Sequence, residues 1–501
     1  MATEEDTAPP AYENLLEQYG RATYLGDANE MLGWDQEVVM PEGGTPARSK
    51  QRGAVSALAH ELLVDDDVGE WLSELEGVSL SPTQSAVVRE IRRQYERKTR
   101  VPTDLVEKTS EAASDAHPIW REAKENDDFD AFVPTLEELL DLKREYAEHI
   151  DPDADPYAVL FADYEPCLSL ETAESVLEDL REGLVPLIDA VRDSDTELYR
   201  LERSVPEDRQ FDLARAALET LGYDFERGRL DTAPHPFSSG TQFDARVTTR
   251  FDESNPLDSL GSTIHEFGHA AYTQGLTKDA YGSPLAEHRG LTVHESQSRL
   301  FENHVGRSRS FWELFVPRLN EHYGTDCSAT EAYEAVNRVY EDNLVRVDAD
   351  ELTYHLHIVL RFEIERDLIA GDLDVAEVPA VWNDKCEQYL GIRPDNDAEG
   401  CLQDIHWSHG AFGYFPTYSL GSVLAAQVYD AAEAEIDGLD SKIRTGDFGP
   451  LREHLADSIH AHGCRYPTDE LIERATGEPL SADPFLAYAE AKFGSLYDLD
   501  R

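Results

Sequence analysis

Asn255-Pro256-Leu257-Asp258-Ser259-Leu260-Gly261-Ser262-Thr263-Ile264-His265-Glu266-Phe267-Gly268-His269-Ala270-Ala271-Tyr272-Thr273-Gln274-Gly275 is the stretch on which the fold turns. It opens with an N-cap type residue, a proline at N1 and an acid at N3. Leu260, Ile264, Phe267 and Ala271 then recur at helical spacing, and Gly275 follows as a stop. The pattern predicts a buried helix. On such a helix residues four apart share a face, so His265 and His269 can hold one metal ion. Glu266 then stands beside the ion, placed to take a proton from water. Two imidazoles with a glutamate base read as metal-assisted hydrolysis of a peptide bond.

The charge of the chain narrows its partners. Asp and Glu number 102 against 44 Lys and Arg, a formal net charge of −58. A field this negative argues against nucleic acid and against anionic membranes. Disorder is not the reason, because 41% apolar residues and 22 tyrosines supply a core. Abundant carboxylates with few lysines point to a halophilic protein, its self-repulsion screened by intracellular salt. No run of about 18 apolar residues suggests a membrane span. The acidic start, Met1-Ala2-Thr3-Glu4-Glu5-Asp6, is unlike a basic targeting signal, and a cytoplasmic location is expected. Cys167, Cys327, Cys386, Cys401 and Cys464 are scattered without a C-x-x-C, as expected of reduced thiols.

Most of the chain reads as helix. Leu136, Leu139, Leu140, Tyr146 and Ala147 mark one amphipathic stripe; Val176, Leu177, Leu180 and Leu184 mark another. Pro41-Glu42-Gly43-Gly44 and Asp151-Pro152-Asp153 punctuate helices. Between residues 233 and 251, Thr241, Phe243, Ala245, Val247, Thr249 and Phe251 alternate with polar residues, which predicts one or two short strands just before the motif. The expectation is a mainly α protein with a small sheet beside its site. Residues 1–501 form one unit, two-lobed around a cleft, with the metal-binding core at about 255–305.

A catalytic metal needs a third protein ligand and an open position. The extended motif H-E-x-x-H-x-x-G-x-x-H fails, since Tyr272 and Gly275 stand where Gly and His are required. Glutamates 287, 295 and 302 and histidines 288, 294 and 304 are the alternatives. Glu295, 26 residues after His269, suits a loop followed by a returning helix, but spacing prefers it only weakly. Arg346 lies among acids and reads first as an ion pair, second as a fork for a substrate carboxylate. His406, His409, Tyr414 and Tyr418 crowd a Gly- and aromatic-rich segment, as core aromatics or as donors to an oxyanion. Eleven of the 17 histidines lie between 235 and 409, which locates the site there.

Several motifs in one order carry a resemblance. They are Trp34-Asp35-Gln36-Glu37, His235-Pro236-Phe237, Asp244-Ala245-Arg246-Val247-Thr248 and His265 to His269. Beyond these come His294-Glu295-Ser296-Gln297, Val345-Arg346-Val347-Asp348-Ala349, Gln403-Asp404-Ile405-His406-Trp407 and Gly413-Tyr414-Phe415-Pro416-Thr417-Tyr418. Together they resemble the carboxypeptidase Taq family of metallocarboxypeptidases, from about residue 10 to the C-terminus. Val345 departs from that family's pattern, a change close in volume to isoleucine. The resemblance implies a Zn2+ enzyme, with Co2+ as a substitute, that takes single residues from peptides with a free C-terminus. It implies a saddle-like helical fold similar to neurolysin and angiotensin-converting enzyme, with a deep groove, and a homodimer. It assigns His265, His269 and Glu295 to the metal, Glu266 to the general base and Arg346 to the terminal carboxylate. Tyr418 and His406 would stabilise the transition state, and His235 and Arg246 would line the groove. An oligoendopeptidase with the same metal chemistry is the nearest alternative, and a helical scaffold with a structural metal a more distant one.

Overall fold

The protein's structure, a computed structural model, describes residues 8–340 and 343–499. Helices dominate it, and a three-stranded sheet is set among them. The helices Val133–Ile150 and Leu170–Arg192 bury the stripes read from the sequence, with Tyr146 half-buried. The Pro41–Gly44 break separates the helices Pro10–Val38 and Thr45–Leu63, and the Asp151–Asp153 break separates Val133–Ile150 from Pro156–Tyr164.

Two large apolar clusters organise the chain. One gathers Leu136, Leu180, Leu360 and Trp382; the other gathers Leu213, Phe267, Phe301 and Trp312. The helix Pro416–Glu435 belongs to both. Its Leu420, Val423 and Ala426 enter the first cluster, and its Leu424, Ala425 and Val428 enter the second. A helix apolar on all sides has to be buried on all sides, and this one lies between two cores.

Strands β1 (Leu230–Thr232), β2 (Ser238–Thr241) and β3 (Asp244–Thr249) pair in the order β1-β3-β2. β1 runs parallel to β3 with Leu230 opposite Val247, and β2 runs antiparallel with Thr241 opposite Asp244. In β3 the expected Ala245, Val247 and Thr249 are buried, but Thr248 is buried as well, so the alternation is lost at the end of the strand. It also fails at Phe243, which is 47% exposed on the turn between β2 and β3. β1 lies before the window read as strand, because three residues are too few to show a period.

The sheet fixes the start of the motif helix, Pro256–Gly275. The hydroxyls of Thr249 and Thr263 stand 3.0 Å apart, and both reach the Ser259 carbonyl, at 3.2 and 2.6 Å. Asn255 takes the N-cap position with Pro256 at N1, but its side chain makes no capping bond. With φ −130° and ψ 66° it leaves the extended conformation that turns a cap side chain onto the first turn. Gly275 is the last residue of the helix without being left-handed, and its lack of a side chain admits His460, whose Nδ1 would stand 2.2 Å from a methyl there.

All five cysteines are free thiols. Among the described residues no helix is long and apolar enough to cross a membrane.

Candidate metal centre

His265 and His269 lie one turn apart on the motif helix, their ring centroids 4.9 Å apart. Glu295 comes to them from the next helix, Leu291–Arg299. Its Oε2 stands 3.7 Å from Nε2 of His265 and 3.4 Å from Nε2 of His269. One ligand atom from each of the three residues lies within 4.8 Å of the others. Two imidazole nitrogens and a carboxylate oxygen, converging from two helices, suit a divalent cation that keeps an open position.

Glycines allow the convergence. A methyl on Gly268 would meet the Gln297 carbonyl oxygen at 2.3 Å, so the two helices touch backbone to backbone. A methyl on Gly421, in the helix Pro416–Glu435, would meet Cβ and Cγ of Glu295 at 2.6 Å. The N-terminus of the Glu295 helix has no cap of its own. Glu165 supplies one from far along the chain, its Oε2 accepting from Thr292 N–H at 2.7 Å and its Oε1 from the Thr468 hydroxyl at 3.0 Å. Gly290 leaves room for that carboxylate.

The other candidate ligands sit elsewhere. Glu302 lies on the π-helical turn Leu300–Gly306, with Oε2 2.9 Å from Nδ1 of His265. It orients that ring and leaves Nε2 for the metal side. Arg299 and Arg307 hold it at 3.1 and 2.9 Å. Glu287 accepts from the Tyr19 hydroxyl at 2.8 Å. His288 meets the Thr273 hydroxyl at 3.0 Å, and burial pushes it down to about 3. His294 stacks on His269, centroids 4.2 Å apart, which steadies a ring whose buried Nδ1 has no partner among the described residues. His304 stacks on Tyr429.

The electrostatics separate the two glutamates at the centre. Burial pushes the Glu295 carboxyl up, but Arg299, His265 and His269 outweigh it and hold the group well below the usual range. Arg299 Nε binds its Oε1 at 2.8 Å. Among the described residues Glu266 has no such arginine. Burial raises its carboxyl, and the neighbouring imidazoles only partly oppose this. One carboxylate is therefore fixed as an anion, and the other is suited to gaining and losing a proton. Glu266 faces a cavity of about 480 Å³, lined also by Pro236, His265, Arg299, Glu302 and Tyr354.

A second cluster adjoins this one through Tyr354, whose ring lies under Arg299 at 4.8 Å and 6.1 Å from the ring of Tyr418. Arg346 lies over Tyr418 at 5.3 Å. Its Nε and Nη2 both bind Asp404 Oδ1, at 3.0 and 2.8 Å, and Arg361 Nε binds Oδ2 at 2.6 Å. The ion-pair reading of Arg346 is the one this geometry displays. Tyr418 Oη lies 3.5 Å from Nε2 of His406, and burial pushes that imidazole down to about 4. His409 is exposed and packs on His117, away from Tyr418, while the Tyr414 ring stands 5.2 Å from the Tyr418 ring.

His235 is exposed, next to the cavity-lining Pro236. Arg246 pairs with Asp244 at 2.7 Å and lies 4.1 Å from the centre of the Trp34 ring. Among the described residues neither makes a hydrogen bond or ion pair to the metal cluster. Thr248 ties the His235-Pro236-Phe237 segment to β3, its hydroxyl accepting from Phe237 N–H at 2.9 Å and donating to Phe237 C=O at 3.0 Å. Arg299, Arg307, Tyr354 and Glu365 escaped the sequence reading. An arginine beside glutamates in so acidic a chain carries no signal of its own.

A helical protein that brings two motif imidazoles and a distant carboxylate together beside a buried glutamate belongs, as a class, with the metallopeptidases. The chain is a member of the carboxypeptidase Taq (M32) metallopeptidase family, matched over residues 14–493. It is 40% identical to thermostable carboxypeptidase 1 of Thermus thermophilus, over 98% of this chain and 100% of that one. With carboxypeptidase 1 of Bacillus subtilis the identity is 33%, over 95% and 97%. The M32 carboxypeptidase of Deinococcus radiodurans superposes with a TM-score of 0.94 at 38% identity, covering 98% of this chain and 100% of that one. Metallocarboxypeptidase 1 of Trypanosoma cruzi also gives 0.94, at 35% identity over 96% and 99%. The protein is thus a metallocarboxypeptidase, a hydrolase of peptide bonds.

Proposed function

We propose that the protein removes single amino acids from free peptide C-termini with Zn2+ held by His265, His269 and Glu295, Co2+ being able to substitute. The observation that carries this is the meeting of those three side chains within 4.8 Å, beside a buried Glu266 that faces the cavity. The cation supplies Lewis acidity to water and to the scissile carbonyl. Glu266 takes the proton of the attacking water as its oxygen bonds to the carbonyl carbon. As the C–N bond breaks, Glu266 returns that proton to the leaving amine. Tyr418, its hydroxyl kept protonated by burial, and the neutral His406 donate hydrogen bonds to the oxyanion. Arg346, stiffened by Asp404, offers its Nη1 edge to the terminal carboxylate, so that only the last peptide bond reaches the metal. His235 and Arg246 line the substrate's approach.

The same reading takes residues 1–501 as one unit, two-lobed around a deep groove in the saddle-like manner of neurolysin and angiotensin-converting enzyme. It takes the protein as a cytoplasmic homodimer adapted to high salt, with neither nucleic acid nor membrane as partner. The net charge of −58 supports the last two points.

A mass-spectrometric time course on one peptide, run free and C-terminally amidated, with and without chelator, tests the reaction. A ladder shortening from the free C-terminus, lost on chelation and on amidation, is expected. Internal cleavage of the amidated peptide would point to an oligoendopeptidase instead. Glu266→Gln should bind metal and lower kcat by about 10²–10⁴-fold; parental turnover would remove Glu266 from the mechanism.

A further inference from the structure

Several buried carboxylates in this protein face a cation: Glu90 faces Arg289, Glu302 faces Arg299 and Arg307, and Glu351 faces Lys492, whereas among the described residues Glu165 and Asp350 meet neutral donors only. Glu365, fully buried on the helix Thr353–Ala370, meets only neutral donors among the described residues. Its Oε1 accepts from Trp407 Nε1 at 2.9 Å. Its Oε2 accepts from the Tyr157 hydroxyl at 3.0 Å and from Gly413 N–H at 3.1 Å. Burying a carboxylate without a cation is costly, so its place in the fold calls for a reason.

That place is next to the site. Trp407 directly follows His406, and Gly413 directly precedes Tyr414. One side chain thus grips both ends of the segment that presents these two residues to Tyr418. One turn earlier on the same helix, Arg361 grips the start of the segment through Asp404 at 2.6 Å and Gln403 at 2.7 Å. On the far side Gly413 presses on the helix Pro156–Tyr164: a methyl there would stand 2.7 Å from Phe161 N. We propose that Glu365 is a positioning residue for peptide hydrolysis, holding the Trp407–Gly413 segment so that His406 and Tyr414 keep their places around the Tyr418 hydroxyl. The proposal rests on the reading of His406 and Tyr418 as transition-state donors.

The chemistry of the grip explains why the residue is a glutamate. Trp407 Nε1 and Gly413 N–H can only donate, so the group between them has to accept on both oxygens. A carboxylate does so, whereas an amide would turn its NH2 against one of the two. Burial pushes the carboxyl up to about 7. The groups that face it are Tyr157 and Tyr164 from one side, Trp407 and Gly413 from another, and Arg361 from its own helix. Ionised, it satisfies all three donors. Protonated, it adds a fourth hydrogen where three donors already point and loosens the segment. kcat should therefore fall as pH drops through the neutral range.

The test compares the full-length parent with Glu365→Gln, Trp407→Phe, His406→Ala, Tyr418→Phe and the double variant Glu365→Gln/His406→Ala. Circular dichroism and metal content accompany kcat, KM and pH profiles on one peptide. Glu365→Gln and Trp407→Phe should keep fold and metal, lose about 10- to 100-fold in kcat and change KM little. The acid limb near neutrality should vanish in Glu365→Gln, which should cost little more on the His406→Ala background. Parental kcat in Glu365→Gln or Trp407→Phe, or fully additive losses in the double variant, would overturn the proposal. Parental kcat in both His406→Ala and Tyr418→Phe would bring down the donor reading itself, and the proposal with it.

Discussion

A methyl group on Gly268 would stand 2.3 Å from the carbonyl oxygen of Gln297. Gly268 immediately precedes the ligand candidate His269, and Gln297 lies two residues beyond Glu295, so this contact sets how near the carboxylate comes to the imidazoles. Glycine is otherwise a poor choice inside a helix, by about 1 kcal/mol against alanine. Gly268→Ala should reverse that gain. Overpacking should cost about 1–3 kcal/mol in stability, and the displaced Glu295 should weaken metal binding. Thermal melts of the apo and metal-loaded variant give both numbers. An alanine variant with parental stability and affinity would separate the helix contact from the metal cluster.

Glu302 should matter to the metal without touching it. Its carboxylate fixes the His265 ring through Nδ1 at 2.9 Å, so Glu302→Gln should lower metal affinity by about 10- to 100-fold. Glu287→Gln, which alters a carboxylate bound to Tyr19 and not to a candidate ligand imidazole, should leave affinity unchanged. Titration against a competing chelator measures both.

Glu365 also gives stability a definite pH sign. Burial raises its carboxyl to about 7 in the folded protein, above the value near 4.3 of an unfolded chain. The fold therefore favours the protonated form. That contribution is full below the unfolded value and is lost as pH rises through 7, a change on the order of 3 kcal/mol. Glu365→Gln lacks this loss, so its stability relative to the parent should increase from pH 5 to pH 8 in urea unfolding, by roughly that amount. A constant difference would mean that Glu365 does not titrate in this range.

Salt should act on the whole molecule. With a net charge of −58, self-repulsion at low ionic strength opposes the compact state. Raising KCl from about 0.1 M to about 1 M shortens the screening length from about 10 Å to about 3 Å, and Tm should rise. A melting temperature indifferent to KCl would remove the adaptation to salt from the account of this surface.

Local order was legible in the sequence. The apolar spacing of Leu260, Ile264 and Phe267 marked the motif helix, and four-residue spacing put His265 and His269 on one face. The same logic located the stripes of Val133–Ile150 and Leu170–Arg192 and part of the sheet. It placed both ends of the motif helix, at Asn255 and at Gly275, but not the backbone geometry of Asn255 or the contact of Gly275 with His460, because neither is written in periodicity.

Residue order alone therefore settles whatever depends on neighbours within about one helical turn: the motif helix, its paired imidazoles and the glutamate between them. Which of several glutamates meets those imidazoles was settled by the packed chain. So were the turn of Glu302 to Nδ1 of His265, the commitment of two Arg346 nitrogens to Asp404, and the hold of Glu365 on the segment beside His406. These contacts join residues 26 to 58 positions apart, across helices packed at glycines. No spacing rule reaches so far: packing selects the partner, and in so acidic a chain a lone carboxylate looks like every other.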